Sequence, residues 1–312
     1  MKILAIGAAG FLGSYIVREF LENGHEVTVL DFKKEAPNLP KGVNYAFGDV
    51  TDAQAMREVV GKEHPEVIVN LAGLLTGLCA RNPYQAISVN SMGMANVLEA
   101  ARLNGVQRVV ISSSAGVCSP DRVDTREERW ISPQISMYGA TKFMCEVLAR
   151  EFRKNYGLEV VCLRFSLIYG PGSVASVGNA MRIKTIERCV TGENIVIDDV
   201  RATDRVHLLH VADAAHAAVL AATAAKVPEP VYNISGIPAD FLSFEEIVDI
   251  LHTACPGAGT VTFTGTGAPV EYGVYLHDKA RRDLGFVPAM RASVGLVQNA
   301  QCLLKSLQKK AE

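Results

Sequence analysis

The sequence has little that would tie it to a metal, a membrane or a nucleic acid. Its seven cysteines show no CxxC spacing and no histidine at ligand distance, so neither a metal site nor a disulfide framework is predicted. A net charge of -2 gives no basic surface of the kind that binds DNA or RNA. The longest uncharged apolar stretch, residues 67–80, contains Asn70 and is too short to span a bilayer.

The N-terminus leaves no room for a secretory signal, because the first apolar run begins at Ile3. Together with the scattered cysteines, this favours a cytoplasmic protein. The chain has 312 residues, of which 49% are hydrophobic and 21% charged. That composition is ordinary for a globular protein and is sufficient for one large core or two unequal lobes.

Short apolar runs alternate with helical patterns through the first half of the chain. The runs lie at residues 2–6, 26–30, 43–47, 67–71, 108–112 and 159–163. Strands that are apolar on both faces and separated by helices predict an α/β fold with a doubly wound (Rossmann) parallel sheet.

We therefore expect a Rossmann domain over residues 1–165 and a smaller, mainly substrate-binding lobe over residues 166–312. Within that lobe the pattern favours helices at 179–190 and around 241–255. The run at 231–235 is expected to be a strand that returns to the sheet.

The loop after the first strand carries glycines at three spaced positions. Gly7 permits a tight turn, Gly10 allows the backbone to approach a pyrophosphate, and Gly13 allows the next helix to pack closely on the sheet. Asp31 ends the second strand 18 residues after Gly13. Its carboxylate can accept hydrogen bonds from both hydroxyls of an adenosine ribose and would repel a 2'-phosphate. This pattern predicts NAD as the cofactor in preference to NADP.

Tyr138 and Lys142 stand four positions apart, so a helix places both side chains on one face. A neighbouring ammonium stabilises the phenolate, and moving a tyrosine pKa from about 10 to about 7 requires about 4 kcal/mol. The spacing alone is common on solvated helices. It gains weight here because the glycine loop precedes it and the serine run 112–114 lies between the two.

Further segments follow the glycine loop in a set order. They are the GDxxD segment with Asp49 and Val50, the strand end with Leu71, Ala72 and Gly73, the helix residue Asn90, the serines Ser112 and Ser114, the pair Tyr138 and Lys142, and the segment with Phe165 and Leu167. In this order the motifs resemble the extended short-chain dehydrogenase/reductase family, in its NAD-dependent epimerase/dehydratase branch. The resemblance covers the whole chain and is specific through about Gly172.

The resemblance implies a division of roles. Tyr138 would exchange a proton with the substrate oxygen while hydride passes between a substrate carbon and NAD, and Ser114 would hold that oxygen. Lys142 would lower the pKa of Tyr138 and bind the nicotinamide ribose. Asn90 either approaches the cofactor or is an amide bonded to backbone, and the sequence leaves both open. The residues implied to bind NAD are Gly7, Gly10, Phe11, Leu12, Gly13, Asp31, Asp49, Val50, Leu71, Ala72, Gly73, Asn90, Ser112, Tyr138, Lys142, Phe165 and Leu167.

Three departures from the family pattern concern the substrate. Leu167 stands where the pattern LRxxNVYG has an asparagine that meets the diphosphate of nucleotide sugars, and leucine cannot make that contact. Arg205 lies one residue out of register with the pattern RDFxHVxD. Ala115 replaces the acidic residue of the dehydratases, so dehydration is not expected.

These departures favour an NAD-dependent oxidoreductase that acts on a secondary alcohol or ketone of a polar, sugar-like or small hydroxy-acid substrate. A nucleotide-sugar epimerase stays open as an alternative. Residues 74–76 and 81–83, with the context of Tyr138, are similar to short-chain L-threonine dehydrogenases. A non-enzymatic NAD-sensing protein is the remaining alternative, although such proteins generally lack the tyrosine.

Two helices are expected to form a homodimer interface. In the family, the helix that carries the tyrosine and the helix around residues 90–103 pair with their copies in a four-helix bundle. Both are apolar on more than one face here. The residues concerned are Val97, Leu98 and Leu103 on one helix and Phe143, Met144, Val147 and Leu148 on the other.

Overall fold

A parallel sheet forms the centre of the protein in this computed structural model, which describes residues 1–118, 135–173, 178–266 and 273–311. The strands are β1 (Lys2–Ile6), β2 (Glu26–Asp31), β3 (Asn44–Phe47), β4 (Val67–Asn70), β5 (Arg108–Ser114), β6 (Glu159–Phe165), β7 (Leu167–Tyr169), β8 (Ile195–Ile197), β9 (Arg205–His210), β10 (Val231–Ile234), β11 (Phe241–Ser243) and β12 (Val261–Phe263).

The helices connect these strands and cover the sheet. They are α1 (Phe11–Glu22), α2 (Ala53–Glu63), α3 (Thr76–Arg81), α4 (Pro83–Ala86), α5 (Gly93–Leu103), α6 (Met137–Tyr156), α7 (Gly178–Glu187), α8 (Val211–Thr223), α9 (Phe244–Ala254), α10 (Asp278–Leu284) and α11 (Ala292–Ala311). A π-helical segment, Ile87–Met92, joins α4 to α5. Among the described residues, no helix is both long enough and apolar enough to cross a membrane.

The central sheet has seven parallel strands in the order β10-β6-β5-β4-β1-β2-β3. The strand order reverses between β1 and β4, and the crevice beyond the carboxyl ends of these strands is where open α/β sheets bind their ligands. The expected doubly wound Rossmann fold is thus confirmed. The expected return of a C-terminal strand to the sheet is confirmed by β10, which pairs with β6.

Alternate residues of β1 fill two separate cores. Ile3 and Ala5 pack in the core beneath α1 and α8, whereas Leu4 and Ile6 pack in the core beneath α2, α5 and α6. Both faces of the sheet are therefore covered, which explains why the strand sequences are largely apolar and do not alternate with polar residues.

The second of these cores corrects one expectation about the outer surface. Val97 and Leu98 have no exposed surface, because α5 packs against both the sheet and α2. They cannot contribute to a subunit interface. Leu103 and Met144, from the same set, are about half exposed.

The C-terminal region adds a three-stranded sheet in the order β11-β9-β7 and the parallel pair β12-β8. Its core joins Tyr169, Ile183, Phe244 and Leu296. The division at residue 165 falls between β6 and β7, and the assignment of two functional units stays a prediction.

One helix begins later than expected, since residues 241–243 form β11 and α9 starts at Phe244. Ser243 caps α9. Its hydroxyl accepts from the Glu246 N–H, while the Glu246 carboxylate accepts from the Ser243 N–H. This reciprocal pair satisfies the first free N–H groups of the helix and fixes its start.

Candidate active site

The glycine loop between β1 and α1 has the geometry that its spacing predicts. Gly7 has φ +71°, and a Cβ added there would lie 2.5 Å from the Ala72 nitrogen. A Cβ on Gly13 would lie 2.4 Å from the Ala8 Cα, so α1 packs closely on its own loop. A Cβ on Gly10, at the start of α1, would meet no protein atom within 4 Å. The space in front of this helix terminus is therefore open, which fits the pyrophosphate of NAD.

Asp31 lies beside this loop at the carboxyl end of β2. The side chain is 4% exposed, and its two oxygens accept from the N–H groups of Ala9 at 3.0 Å and Lys33 at 3.1 Å. The carboxylate thereby ties the glycine loop to β2. Each carboxylate oxygen can accept a further hydrogen bond, as ribose recognition would require.

Seven further residues expected to bind NAD fall into two groups. Asp49 is exposed after β3, and Leu71, Ala72 and Gly73 follow β4, at the same edge of the sheet as the glycine loop. The side chains of three others point elsewhere: Val50 and Phe165 lie in the two cores of the central sheet, and Leu167 packs on the C-terminal core. Because Val50 and Phe165 are buried, a contact of either residue with NAD would have to come from the backbone.

Asn90 lies in the π-helical segment and joins two parts of the site. Its Oδ1 accepts from the Leu74 N–H at 2.7 Å, and its Nδ2 donates to the Leu74 carbonyl at 3.1 Å and to the Thr141 hydroxyl at 3.0 Å. The amide is bonded to backbone, and its partner is the loop after β4 and not its own helix. A π-helical turn is a common device for aiming a side chain at a functional site.

Lys142 is 5% exposed and points from α6 towards the end of β5. Its Nζ donates to the Ser112 carbonyl at 2.7 Å and lies 5.8 Å from the ring centre of Tyr138. A Cβ added to Gly73 would lie 3.3 Å from both the Lys142 Nζ and the Asn90 Oδ1. The lysine therefore lies between the tyrosine and the strand end that we expect to run along the cofactor.

Ser114 and Tyr138 meet around a single glycine. The Ser114 Oγ accepts from the Gly116 N–H at 3.0 Å. A Cβ on Gly116 would lie 3.2 Å from this Oγ and 3.5 Å from the Tyr138 Cδ1. The structure thus brings Ser114, Tyr138 and Lys142 together at the carboxyl end of β5.

Sequence reasoning missed the glycine contact that sets this arrangement. A Cβ on Gly139 would lie 2.3 Å from the Gly116 carbonyl oxygen, so the first turn of α6 rests directly on the turn after Ser114. The Ser136 Oγ starts α6 by accepting from the Gly139 N–H at 3.1 Å. A serine just before the helix is a recognisable cap signal, whereas the contact between the two glycines leaves no pattern in the sequence.

The turn that follows Ser114, residues 115–118, packs against the C-terminal part of the chain. Ala115, Cys118 and Tyr275 form a small buried cluster, and the ring of His207 stacks on Tyr275 at 6.4 Å between centres. Burial lowers the pKa of His207 to about 4. This histidine is therefore neutral near pH 7 and does not supply a positive charge for an anionic substrate.

Arg205, the candidate for a diphosphate contact, is engaged elsewhere. Its Nη2 donates to the Phe241 carbonyl and to the Glu246 carboxylate, both at 2.8 Å. The guanidinium thus holds β11 and the start of α9 together. This agrees with the sequence, in which Arg205 lies one residue out of register with the pattern RDFxHVxD.

Comparison with known proteins gives matches to one family. The family model for the NAD-dependent epimerase/dehydratase family matches residues 3–235. The UDP-glucose 4-epimerase of Corynebacterium glutamicum is 26% identical over an alignment that covers 98% of this chain and 97% of that protein. Further UDP-glucose 4-epimerases align over 55% and 57% of their own length.

Solved structures agree with these relatives. The Thermus thermophilus UDP-glucose 4-epimerase in complex with NAD has a TM-score of 0.83 and 26% identity, and the match covers 97% of this chain and 99% of that one. The Thermotoga maritima UDP-glucose 4-epimerase with UDP-glucose has a TM-score of 0.88 at 24% identity, with coverage of 98% and 100%. At that identity, the second match shows the fold. Together the comparisons confirm the expected family, the Rossmann fold and NAD as the cofactor.

Proposed function

The chain belongs to the NAD-dependent epimerase/dehydratase family, and we propose that it is a nucleotide-sugar epimerase. It is an NAD-dependent enzyme of the extended short-chain dehydrogenase/reductase type. The observation that carries the finer assignment is the end-to-end match with a UDP-glucose 4-epimerase. The relatives thus favour the epimerase alternative over net dehydrogenation.

Each catalytic residue has a place in this reaction. When bound, NAD would supply a reversible hydride acceptor, so that the sugar carbon could be oxidised and then reduced again from its other face. Tyr138 takes the proton of the sugar hydroxyl and gives it back, while Ser114 holds the same oxygen. Support comes from their positions on either side of Gly116. Lys142 supplies a positive charge 5.8 Å from the centre of the Tyr138 ring.

The glycine loop and Asp31 are the proposed anchor for NAD. The first turn of α1 directs backbone N–H groups at the pyrophosphate, and the Asp31 carboxylate accepts from the adenosine ribose. Asp49, Ala72 and Gly73 lie along the same edge of the sheet. The other residues expected at this site stay predictions.

An assay with nucleotide sugars tests the proposal. The protein is incubated with UDP-glucose, UDP-N-acetylglucosamine and UDP-glucuronic acid, and sugar products are followed by proton NMR while NADH is followed at 340 nm. An epimerase converts one sugar into its epimer with no lasting rise at 340 nm. Tyr138→Phe serves as the inactive control. Absence of any epimer with all three sugars would contradict the proposal.

Net dehydrogenation is the second candidate, and two residues favour it. Leu167 offers no polar group to a diphosphate, and the Arg205 guanidinium is held by β11 and α9. The same assay with added NAD covers this candidate when sugar acids, small hydroxy acids and L-threonine are included. A sustained rise at 340 nm with one of these, and none with nucleotide sugars, would favour a dehydrogenase.

We also propose that the protein is a homodimer. Apolar side chains stay exposed on helices that pack against one another over one face of the sheet. They are Leu75 just before α3, Leu78 on α3, Tyr84 on α4, Ile87 and Met92 on the π-helical segment, Leu103 on α5, and Met144 and Val147 on α6. A second copy would remove this surface from water. Light scattering at micromolar concentration measures the mass, and a clean monomer would contradict the dimer.

A further inference from the structure

A buried ion pair lies beneath the catalytic part of α6. Glu146 follows Lys142 by one helical turn, and its two oxygens accept from Arg164 Nε and Nη2 at 2.7 Å each. Neither side chain has any exposed surface. The Ser113 hydroxyl donates to the same carboxylate at 2.7 Å. One carboxylate thus joins β5, β6 and α6.

The three partners are next to the groups that carry the chemistry. Ser113 stands between Ser112, whose carbonyl holds Lys142, and Ser114. Arg164 pairs with Ser113 in the register of β5 and β6. On its other side, Arg164 Nη1 lies 3.6 Å from the Cys118 sulfur, at the end of the turn that follows Ser114.

Stability alone does not account for such a pair. Removing two charges from water is costly, and well-packed apolar residues in place of a buried ion pair are often neutral or stabilising. The pair instead fixes the geometry of its surroundings, because two parallel hydrogen bonds between a guanidinium and a carboxylate set both distance and orientation.

We propose that Glu146 and Arg164 are positioning residues that set Ser114 and Tyr138 against each other. The inference rests on the proposed catalytic roles of those two residues. The bonds of Glu146 to Arg164 fix the rotation of α6 about its axis. The bond of Glu146 to Ser113 fixes the position of the carboxyl end of β5 relative to α6. The pair also adds no net charge beneath the phenol. The other charged groups on this helix near the pair are Lys142 and Arg150, whose Nη2 lies 3.9 Å from Glu146.

The titration of Tyr138 tests the charge balance without any substrate. Glu146→Gln keeps the length of the side chain and removes one negative charge from α6, so the phenolate gains stability. Glu146 follows Tyr138 by eight helical residues, which is about 12 Å along the axis. At an effective dielectric constant of about 20, the loss of one charge at that distance should lower the titration midpoint of Tyr138 by about one pH unit. The midpoint is read from absorbance at 295 nm, as the difference from the same protein carrying Tyr138→Phe. Glu151→Gln, an exposed carboxylate on the same helix, is the matched control and should leave the midpoint unchanged.

Ser113→Ala tests positioning without disturbing the ion pair. It removes only the bond between β5 and Glu146, so kcat should fall by about tenfold while NAD affinity and the melting temperature stay near those of the unmutated protein. Glu146→Asp retains the charge but shortens the side chain. It should lower kcat and leave the Tyr138 midpoint where it is.

The outcomes separate this inference from a structural role. An unchanged Tyr138 midpoint in Glu146→Gln together with full kcat in Ser113→Ala, with only the melting temperature reduced, would overturn it. If Glu146→Gln does not fold, the kcat of Ser113→Ala decides. If the unmutated protein turns over no substrate, the proposed function fails, and the midpoint shift still decides whether the pair controls Tyr138.

Discussion

Replacing Gly139 by alanine should slow turnover by about two orders of magnitude and change stability little. The added Cβ would lie 2.3 Å from the Gly116 carbonyl oxygen and 2.7 Å from the Ile135 Cγ1. An ordinary contact begins near 3.4 Å, so the first turn of α6 and the turn after Ser114 must separate by about 1 Å. A misplacement of that size between reacting groups can reduce the rate by about 100-fold.

The effect on stability is smaller because two terms oppose each other. Overpacking of this kind costs about 1–3 kcal/mol. Alanine in place of glycine inside a helix recovers about 1 kcal/mol. The net destabilisation is therefore about 0–2 kcal/mol, which lowers the melting temperature by a few degrees.

Steady-state kinetics and thermal melting of the same preparations measure both effects. Gly257→Ala is the matched control, because a Cβ at that glycine meets no atom within 4 Å, and it should behave as the unmutated protein. The reasoning is refuted if Gly139→Ala keeps kcat within twofold, since the contact with Gly116 would then not set the catalytic geometry.

Three further predictions concern the cofactor, the subunit interface and the pH dependence of stability. Asp31→Ala should reduce the preference for NAD over NADP by about 1–3 kcal/mol in binding titrations; tighter NADP binding by the unmutated protein would be contrary. Met144→Asp should yield monomers by light scattering, whereas Met181→Asp, at an exposed site on α7, should not. Burial raises the pKa of Glu187 to about 7, so the folded state holds its proton more tightly than the unfolded chain and stability falls as pH rises from about 4.5 to about 7. Glu187→Gln should remove up to about 3 kcal/mol of this loss of folding stability. If the melting temperatures of the variant and of the unmutated protein change with pH in parallel, the prediction is wrong.

The sequence anticipated the central sheet because its strands are largely apolar and alternate with helical patterns. β1 coincides with the expected residues 2–6, and other strands differ by one or two positions at an end. The strands of the C-terminal sheet were harder to anticipate. β7 and β11 have three residues each, which is too short for an alternating pattern to register.

The candidate site was predictable where one residue acts through its own backbone or its own helix. Gly7 and the spacing of Tyr138 and Lys142 are of this kind. The contact of Gly139 with Gly116 and the bonds of Asn90 to Leu74 join segments that are far apart in the chain. Such pairs depend on how the helices pack, and a single sequence carries no signal for them.

The face of α5 that we propose meets a second copy was predicted only in part. Helical periodicity marks Val97, Leu98 and Leu103 as apolar without saying what each one packs against. The structure shows that α2 and the sheet cover the first two, and Leu103 stays exposed.

The most direct test of the proposed mechanism is the turnover and NAD affinity of Tyr138→Phe. The variant retains the ring and its packing and loses only the ionisable oxygen, so NAD should bind as before while epimer formation falls by about two to four orders of magnitude. Lys142→Met should weaken NAD binding as well, because Lys142 is the proposed ribose contact. Full activity of Tyr138→Phe on the substrate that the unmutated protein converts would contradict the account.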